Sequence, residues 1–204
     1  SFPGRPAIKI VNNLYFEILE IPLTATYPKG VRILEISEVP RMSTALINRY
    51  KNWCGHCKIT ANLGCGLNKR TYSDTEMVAA CAGKRIIKPA EGYMLVLTSD
   101  TVSETEMNAV CSKAVYMEIC IVIRGSQFKT LRCPYLRQLK SCKPGVPAIR
   151  IIGNPLLNNI SISKALFYRI GTKTLEIRGN PKLSASSIKT LKKLCPECVI
   201  RRQV

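Results

Sequence analysis

Histidine is almost absent from this sequence: His56 is the only one in 204 residues. No Ser-His-Asp set can form away from it, and any zinc site would have to be built from cysteine. The two C-x-x-C pairs lie far apart and lack the compact spacing of a zinc ribbon. No glycine-rich phosphate loop or Walker pattern occurs. Catalytic residues, cofactors and metals are therefore not expected. No run approaches the roughly 18 apolar residues of a membrane-crossing helix, so no membrane span is expected. Aromatic residues make up only 6% of the chain and no nucleic-acid motif occurs, which argues against a nucleic-acid partner. An initiator methionine and a charged-then-apolar leader are also missing, which reads as a processed chain.

Acidic side chains are scarce as well, 13 against 31 Lys and Arg, for a formal net charge of +18. Residues 141–204 carry 12 basic and 2 acidic groups, more than half of that excess. A field of this sign attracts polyanions such as sulfated glycosaminoglycan. The leading contacts are Lys189, Lys192 and Lys193, spaced i, i+3 and i+4 on one side of a helix, with Arg201 and Arg202 just beyond. The plainer alternative is a solvated surface.

What the chain has in plenty is cysteine, ten residues in all. Such a density points to an oxidising compartment and hence to a secreted, extracellular protein. Asn159-Ile160-Ser161 is the one N-x-[ST] sequon, either a glycosylated surface loop or an unmodified one.

The sequence also repeats itself. Shifted by 141 residues, Ser1 lies on Cys142 and the register holds without a gap to the chain's end. Twenty of 63 pairs are identical, where background composition gives roughly four. Among them are Asn13 with Asn154, Ile21 with Ile162, Gly30 with Gly171, Leu34-Glu35-Ile36 with Leu175-Glu176-Ile177, and Pro40 with Pro181. Helix-like segments at 43–53 and 184–194 each end on a C-x-x-C. A second repeat has an offset of 30: TYSDTEMVAAC at 71–81 and TVSETEMNAVC at 101–111 agree at seven of eleven positions. Ser73 with Glu76 and Ser103 with Glu106 are spaced as capping boxes and predict two short helices. Glu104 and Glu106, two apart, face different directions and read as N-terminal helix charges rather than a catalytic pair.

Strand-like runs follow at 93–97 and 119–123, then at Ile149, Leu175 and Val199. The spacing of 24 to 30 residues between the later ones is that of a solenoid. Gly153-Asn154-Pro155 and Gly179-Asn180-Pro181 fit its corners, since Gly and Asn tolerate unusual backbone angles and Pro stops a strand.

With the helix ending in Cys111, the strand ICIVIRG, the segments AIRIIGNPLL and TLEIRGNPKL, and the closing Cys195 and Cys198, the chain resembles a receptor L-domain. This is the right-handed, leucine-rich-repeat-like β-helix of the insulin and epidermal growth factor receptors, and the resemblance is nearest to secreted nematode proteins built from such domains. It covers residues 104–204. Residues 1–59 match only through the internal repeat, as the C-terminal half of a second copy. The resemblance implies an α/β, disulfide-rich solenoid with short capping helices, in a partial L-domain at 1–64 and a complete one at 65–204. It implies a non-enzymatic protein that recognises a protein ligand, such as an insulin-like or growth-factor-like peptide or a host receptor. The solenoid end left open by the partial copy is expected to pack on residues 65–103 or on another chain, by self-association. Its cysteine pattern carries onto Cys81 with Cys111, and Cys133 is expected with Cys142 from the nearness of their flanking elements.

Trp53-Cys54-Gly55-His56-Cys57-Lys58 spells the active-site motif of protein disulfide isomerases. Thiol–disulfide exchange is the rival function. There a strand precedes the motif and a helix follows, so that the helix N-terminus favours the thiolate. Here the order is reversed, and the second copy carries Cys195-Pro196-Glu197-Cys198 in the same place. Both pairs are expected to be structural.

Overall fold

All the strand pairings in this protein that the structure describes are parallel, so each strand must be followed by a crossover before the chain returns to its sheet. The structure is a computed structural model that describes residues 5–22, 24–60, 64–66, 71–90, 92–166 and 174–201. It is a mixed α/β fold with parallel sheets and five disulfides. The chain divides into two units, Ser1–Asn62 and Leu63–Val204.

The first unit holds β1 (Ile8–Val11), β2 (Leu34–Ser37), α1 (Thr44–Trp53) and β3 (Lys58–Ile59) in a sheet of order β1-β2-β3. Its core is built on Leu34, Ile36, Val39, Met42, Ile47 and Tyr50. Ser43 caps α1 by accepting from the Leu46 N–H at 3.2 Å.

The second unit contains α2 (Asp74–Cys81), β4 (Ile86–Ile87), β5 (Val96–Thr98), α3 (Glu104–Cys111), β6 (Tyr116–Glu118), β7 (Cys120–Arg124), β8 (Thr130–Cys133) and β9 (Gln138–Lys140). It continues with β10 (Ile149–Ile152), β11 (Asn159–Ile162), β12 (Leu175–Arg178), α4 (Ala185–Leu194) and β13 (Val199–Ile200). Three sheets result, of order β13-β12-β10-β7-β5, β4-β6-β9 and β11-β8. In the first of these, Leu97, Ile121, Ile149 and Leu175 stand in register, as do Ile123, Ile151 and Ile177, and all point into one core. Each such fully buried side chain stabilises the fold by about 1.5–3 kcal/mol.

The long repeat is structural to the residue. Adding 141 to the bounds of β1, β2, α1 and β3 gives those of β10, β12, α4 and β13. The pairings shift by the same number: Ile8 faces Leu34 as Ile149 faces Leu175, and Glu35 faces Lys58 as Glu176 faces Val199. One difference is informative. β10 is covered by β7, and Ile149 is fully buried; β1 is an edge strand, and Ile8 is exposed.

Both capping boxes form, with Glu76 and Glu106 reaching back to the N–H groups of Ser73 and Ser103. The preceding acid of each helix reaches a strand instead. Asp74 accepts from the N–H of Thr98 at 3.1 Å and from its hydroxyl, and from the Thr101 hydroxyl at 2.8 Å. Glu104 accepts from the N–H groups of Lys129 and Thr130 and from the Thr130 hydroxyl.

Two strand expectations need correction. The run at 93–97 becomes a strand only at Val96 and continues to Thr98. The run at 119–123 begins one residue later, because Ile119 is where the chain passes between sheets: its N–H bonds to the Lys140 carbonyl, while the Cys120 N–H bonds to that of Leu95. Because β10 pairs with β7 from the second residue of β7 onward, the registered step between them is 28 residues, Ile121 to Ile149.

At the G-N-P corners, Gly153 and Gly179 adopt φ of 64° and 66°. The first unit sets Asn12 and Glu38 in the same places, at φ of 57° and 53°. Asparagine takes this left-handed conformation more readily than glutamate does.

Candidate functional site

Alternation along β10 and β12 turns Arg150, Ile152, Glu176 and Arg178 away from the core. In-register pairing lines them up with residues of neighbouring strands. One row runs Thr98, Val122, Arg150, Glu176, Val199, and a second runs Arg124, Ile152, Arg178. Arg201 extends the second row, its N–H bonded to the Ile177 carbonyl at 2.8 Å. Five strands at about 4.8 Å spacing make a face about 19 Å across.

The charges on this face are only partly balanced. Glu176 lies between the Nε groups of Arg150 at 2.8 Å and Arg178 at 3.2 Å. Arg124 and Arg201 make no ion pair among the described residues. At the β5 edge Met94 and Val96 are 51% and 42% exposed. Arginine therefore alternates with half-buried apolar side chains across this face. The first unit carries a smaller version, in which Glu35 sits 3.7 Å from both Lys9 and Lys58.

The sequence-predicted basic residues fall on two elements. Lys189, Lys192 and Lys193 are exposed on α4, while Arg201 belongs to the sheet row and Arg202 lies outside the described residues. Lys192 and Lys193 occupy the last helical turn, where cations favour the negative end of the helix dipole. Asn159 and Ser161 are exposed on β11; the Asn159 Oδ1 accepts from the Ser187 hydroxyl at 3.3 Å.

The expected cysteine pairings are corrected. Cys81 bonds Cys65, not Cys111; Cys111 bonds Cys133, and Cys142 bonds Cys120. The cysteine that ends α2 thus bonds one 16 residues before it, and the cysteine that ends α3 bonds one 22 residues after it. Cys54–Cys57 and Cys195–Cys198 are closed disulfides, as expected, so all ten cysteines are paired.

Cys54 is the C-cap of α1, its N–H bonded to the Tyr50 carbonyl, and it is 2% exposed. The helix therefore presents its negative end to the sulfur, opposite to the arrangement that favours a thiolate. Trp53 is also engaged: its ring meets those of Tyr27 and Tyr50 edge to face, and its carbonyl accepts from the Tyr27 hydroxyl at 2.7 Å. His56 is exposed on the intervening turn.

Two carboxyls titrate below their ordinary range. For Glu104, partial burial works to raise the carboxyl, but hydrogen bonds from Lys129 and Thr130 outweigh it. Glu106 is lowered by the N–H and hydroxyl of Ser103. Both are structural anchors.

In comparisons with protein-family models and with curated protein sequences, nothing matches this chain. Sequence reasoning missed the outer sheet rows. Their signal was the alternation in IRII and LEIR, where an arginine or glutamate recurs between core aliphatics.

Proposed function

We propose that this protein is a secreted, non-enzymatic binding module of the receptor L-domain kind, which recognises an extracellular protein through the outer face of its five-stranded sheet. In this reading the chain is a right-handed, leucine-rich-repeat-like solenoid in one complete and one partial copy. Registered returns of 24, 28, 26 and 23 residues support the solenoid: Leu97 to Ile121, Ile121 to Ile149, Ile149 to Leu175, and Ile177 to Ile200. Five disulfides support an oxidising destination. The exposed α4 lysines support an auxiliary contact with sulfated glycosaminoglycan. A glycan on Asn159 fits its exposure.

The observation that carries the reading is the sheet face itself, with Val122, Ile152 and Val96 set among Arg124, Arg150 and Arg178. Thiol–disulfide exchange, the rival, draws no support from a buried Cys54 at a helix C-terminus. The test is biolayer interferometry against insulin-like and growth-factor-like peptides and receptor ectodomains. A saturable partner is expected to lose at least about tenfold in affinity to Arg124→Glu with Ile152→Asp. It should be indifferent to alanine at Lys189, Lys192 and Lys193. A partner indifferent to the face pair overturns the assignment.

A further inference from the structure

Away from the five-stranded sheet, a hollow of about 410 Å³ opens at the head of the sheet β4-β6-β9. Its lining includes Arg85, Lys113 and Arg137, with Val115, Tyr135 and Ser163, and no carboxylate among the described residues. We propose that it is a binding site for an anionic sugar, one that carries a sulfate or phosphate ester. The proposal does not depend on the sheet-face reading.

The backbone fixes the walls. Arg85, Val115 and Arg137 immediately precede the registered residues Ile86, Tyr116 and Gln138, so they form one row across three strands. The Val115 N–H donates to the Arg85 carbonyl at 2.7 Å and the Arg137 N–H to the Val115 carbonyl at 2.9 Å. Two strand spacings of about 4.8 Å separate the arginine backbones, so both guanidinium groups can reach one ligand over the apolar Val115. The Cys111–Cys133 disulfide ties together the two turns that supply Lys113 and Tyr135. The Cys133 carbonyl in turn accepts from the Ser163 N–H at 3.2 Å, which brings in the last wall. A site supported in this way is preorganised and needs little ordering when a ligand binds.

The chemistry of the lining selects the ligand. Lys113 and Arg137, in a lining that holds no carboxylate among the described residues, favour a tetrahedral oxyanion, which arginine grips through paired N–H groups. Lys113 and Arg137 make no ion pair among the described residues. The volume is several times what one such anion fills, and it lies in the range of small-ligand sites. Tyr135, 61% exposed, offers a flat apolar face, as sugar rings require, and the Ser163 oxygen already accepts from the Ala165 N–H, which leaves its hydroxyl hydrogen to donate.

The test is titration calorimetry of the full chain with N-acetylglucosamine 6-sulfate, N-acetylglucosamine 6-phosphate, N-acetylglucosamine, inorganic sulfate and a phosphoserine peptide. At least one ester is expected to bind about tenfold or more tightly than the neutral sugar and inorganic sulfate. The stronger of the two esters tells a sulfated glycan from a phosphorylated one. Arg137→Ala should weaken that ester at least about tenfold and Arg137→Lys less, with thermal melts confirming that both variants fold. Tyr135→Ala should weaken the ester but leave inorganic sulfate unchanged. Equal affinity for inorganic sulfate and the esters, tighter binding of a phosphoserine peptide, or an ester affinity unmoved by Arg137→Ala in a folded variant overturns the proposal.

Discussion

Asn154 lies directly against Asn180: its side-chain amide and its backbone N–H both donate to the Asn180 Oδ1, each at 3.0 Å. The Asn154 amide also donates to the Ile123 carbonyl, and its oxygen accepts from the N–H and hydroxyl of Ser126. Asn180 in turn donates to the Ile151 carbonyl. Consecutive passes of the chain are thus bonded through stacked corner side chains that water cannot reach. Asn154→Ala should cost about 2–3 kcal/mol, because it leaves several buried groups unpaired. The equivalent Asn13 is exposed and accepts from the Tyr15 N–H, so Asn13→Ala should cost under about 1 kcal/mol. Urea unfolding of the two variants measures the difference.

The corner asparagines also mark how far the fold could be read from the chain. The gapless repeat placed β1, β2, α1 and β3 against β10, β12, α4 and β13, because a duplicated segment keeps its packing as well as its sequence. Both capping boxes were legible because their chemistry is local. The strands β4, β6, β8, β9 and β11 were not, since they are two to four residues long and too short to show a period. The pairings Cys65–Cys81 and Cys120–Cys142 were also hidden, because which sulfurs meet is decided by tertiary packing that spacing along the chain does not record. The hollow at Arg85, Lys113 and Arg137 stayed illegible for the same reason, since three separate strand starts build it.

The Glu104 clamp makes a prediction about pH. Its carboxyl titrates below the ordinary value of 4.5 in the folded chain. A group of this kind adds stability that is present above its unfolded value and is lost as pH falls through the folded one. Glu104→Gln should therefore be less stable than the parent at neutral pH, and the two should converge as acidity increases below pH 4.5. Thermal melts across that range check it. A difference that stays constant with pH contradicts the clamp.

The lysines of α4 predict a salt-dependent affinity. Replacing Lys189, Lys192 and Lys193 with alanine should shift elution from heparin to markedly lower salt, more than it shifts elution from a sulfonate resin of equal charge density. Equal shifts on both columns reduce the α4 surface to ion exchange.

If this protein catalysed anything, Cys54–Cys57 is where the chemistry would lie. A redox pair must be accessible and must favour a thiolate, whereas Cys54 is buried at the negative end of α1 and its repeat partner Cys195 caps α4 in the same way. Insulin reduction, followed by turbidity for the parent chain and for Cys54→Ser with Cys57→Ser, tests this most directly. Neither protein should show a rate above background. Clear activity in the parent that disappears in the variant, with circular dichroism showing its fold intact, would contradict it.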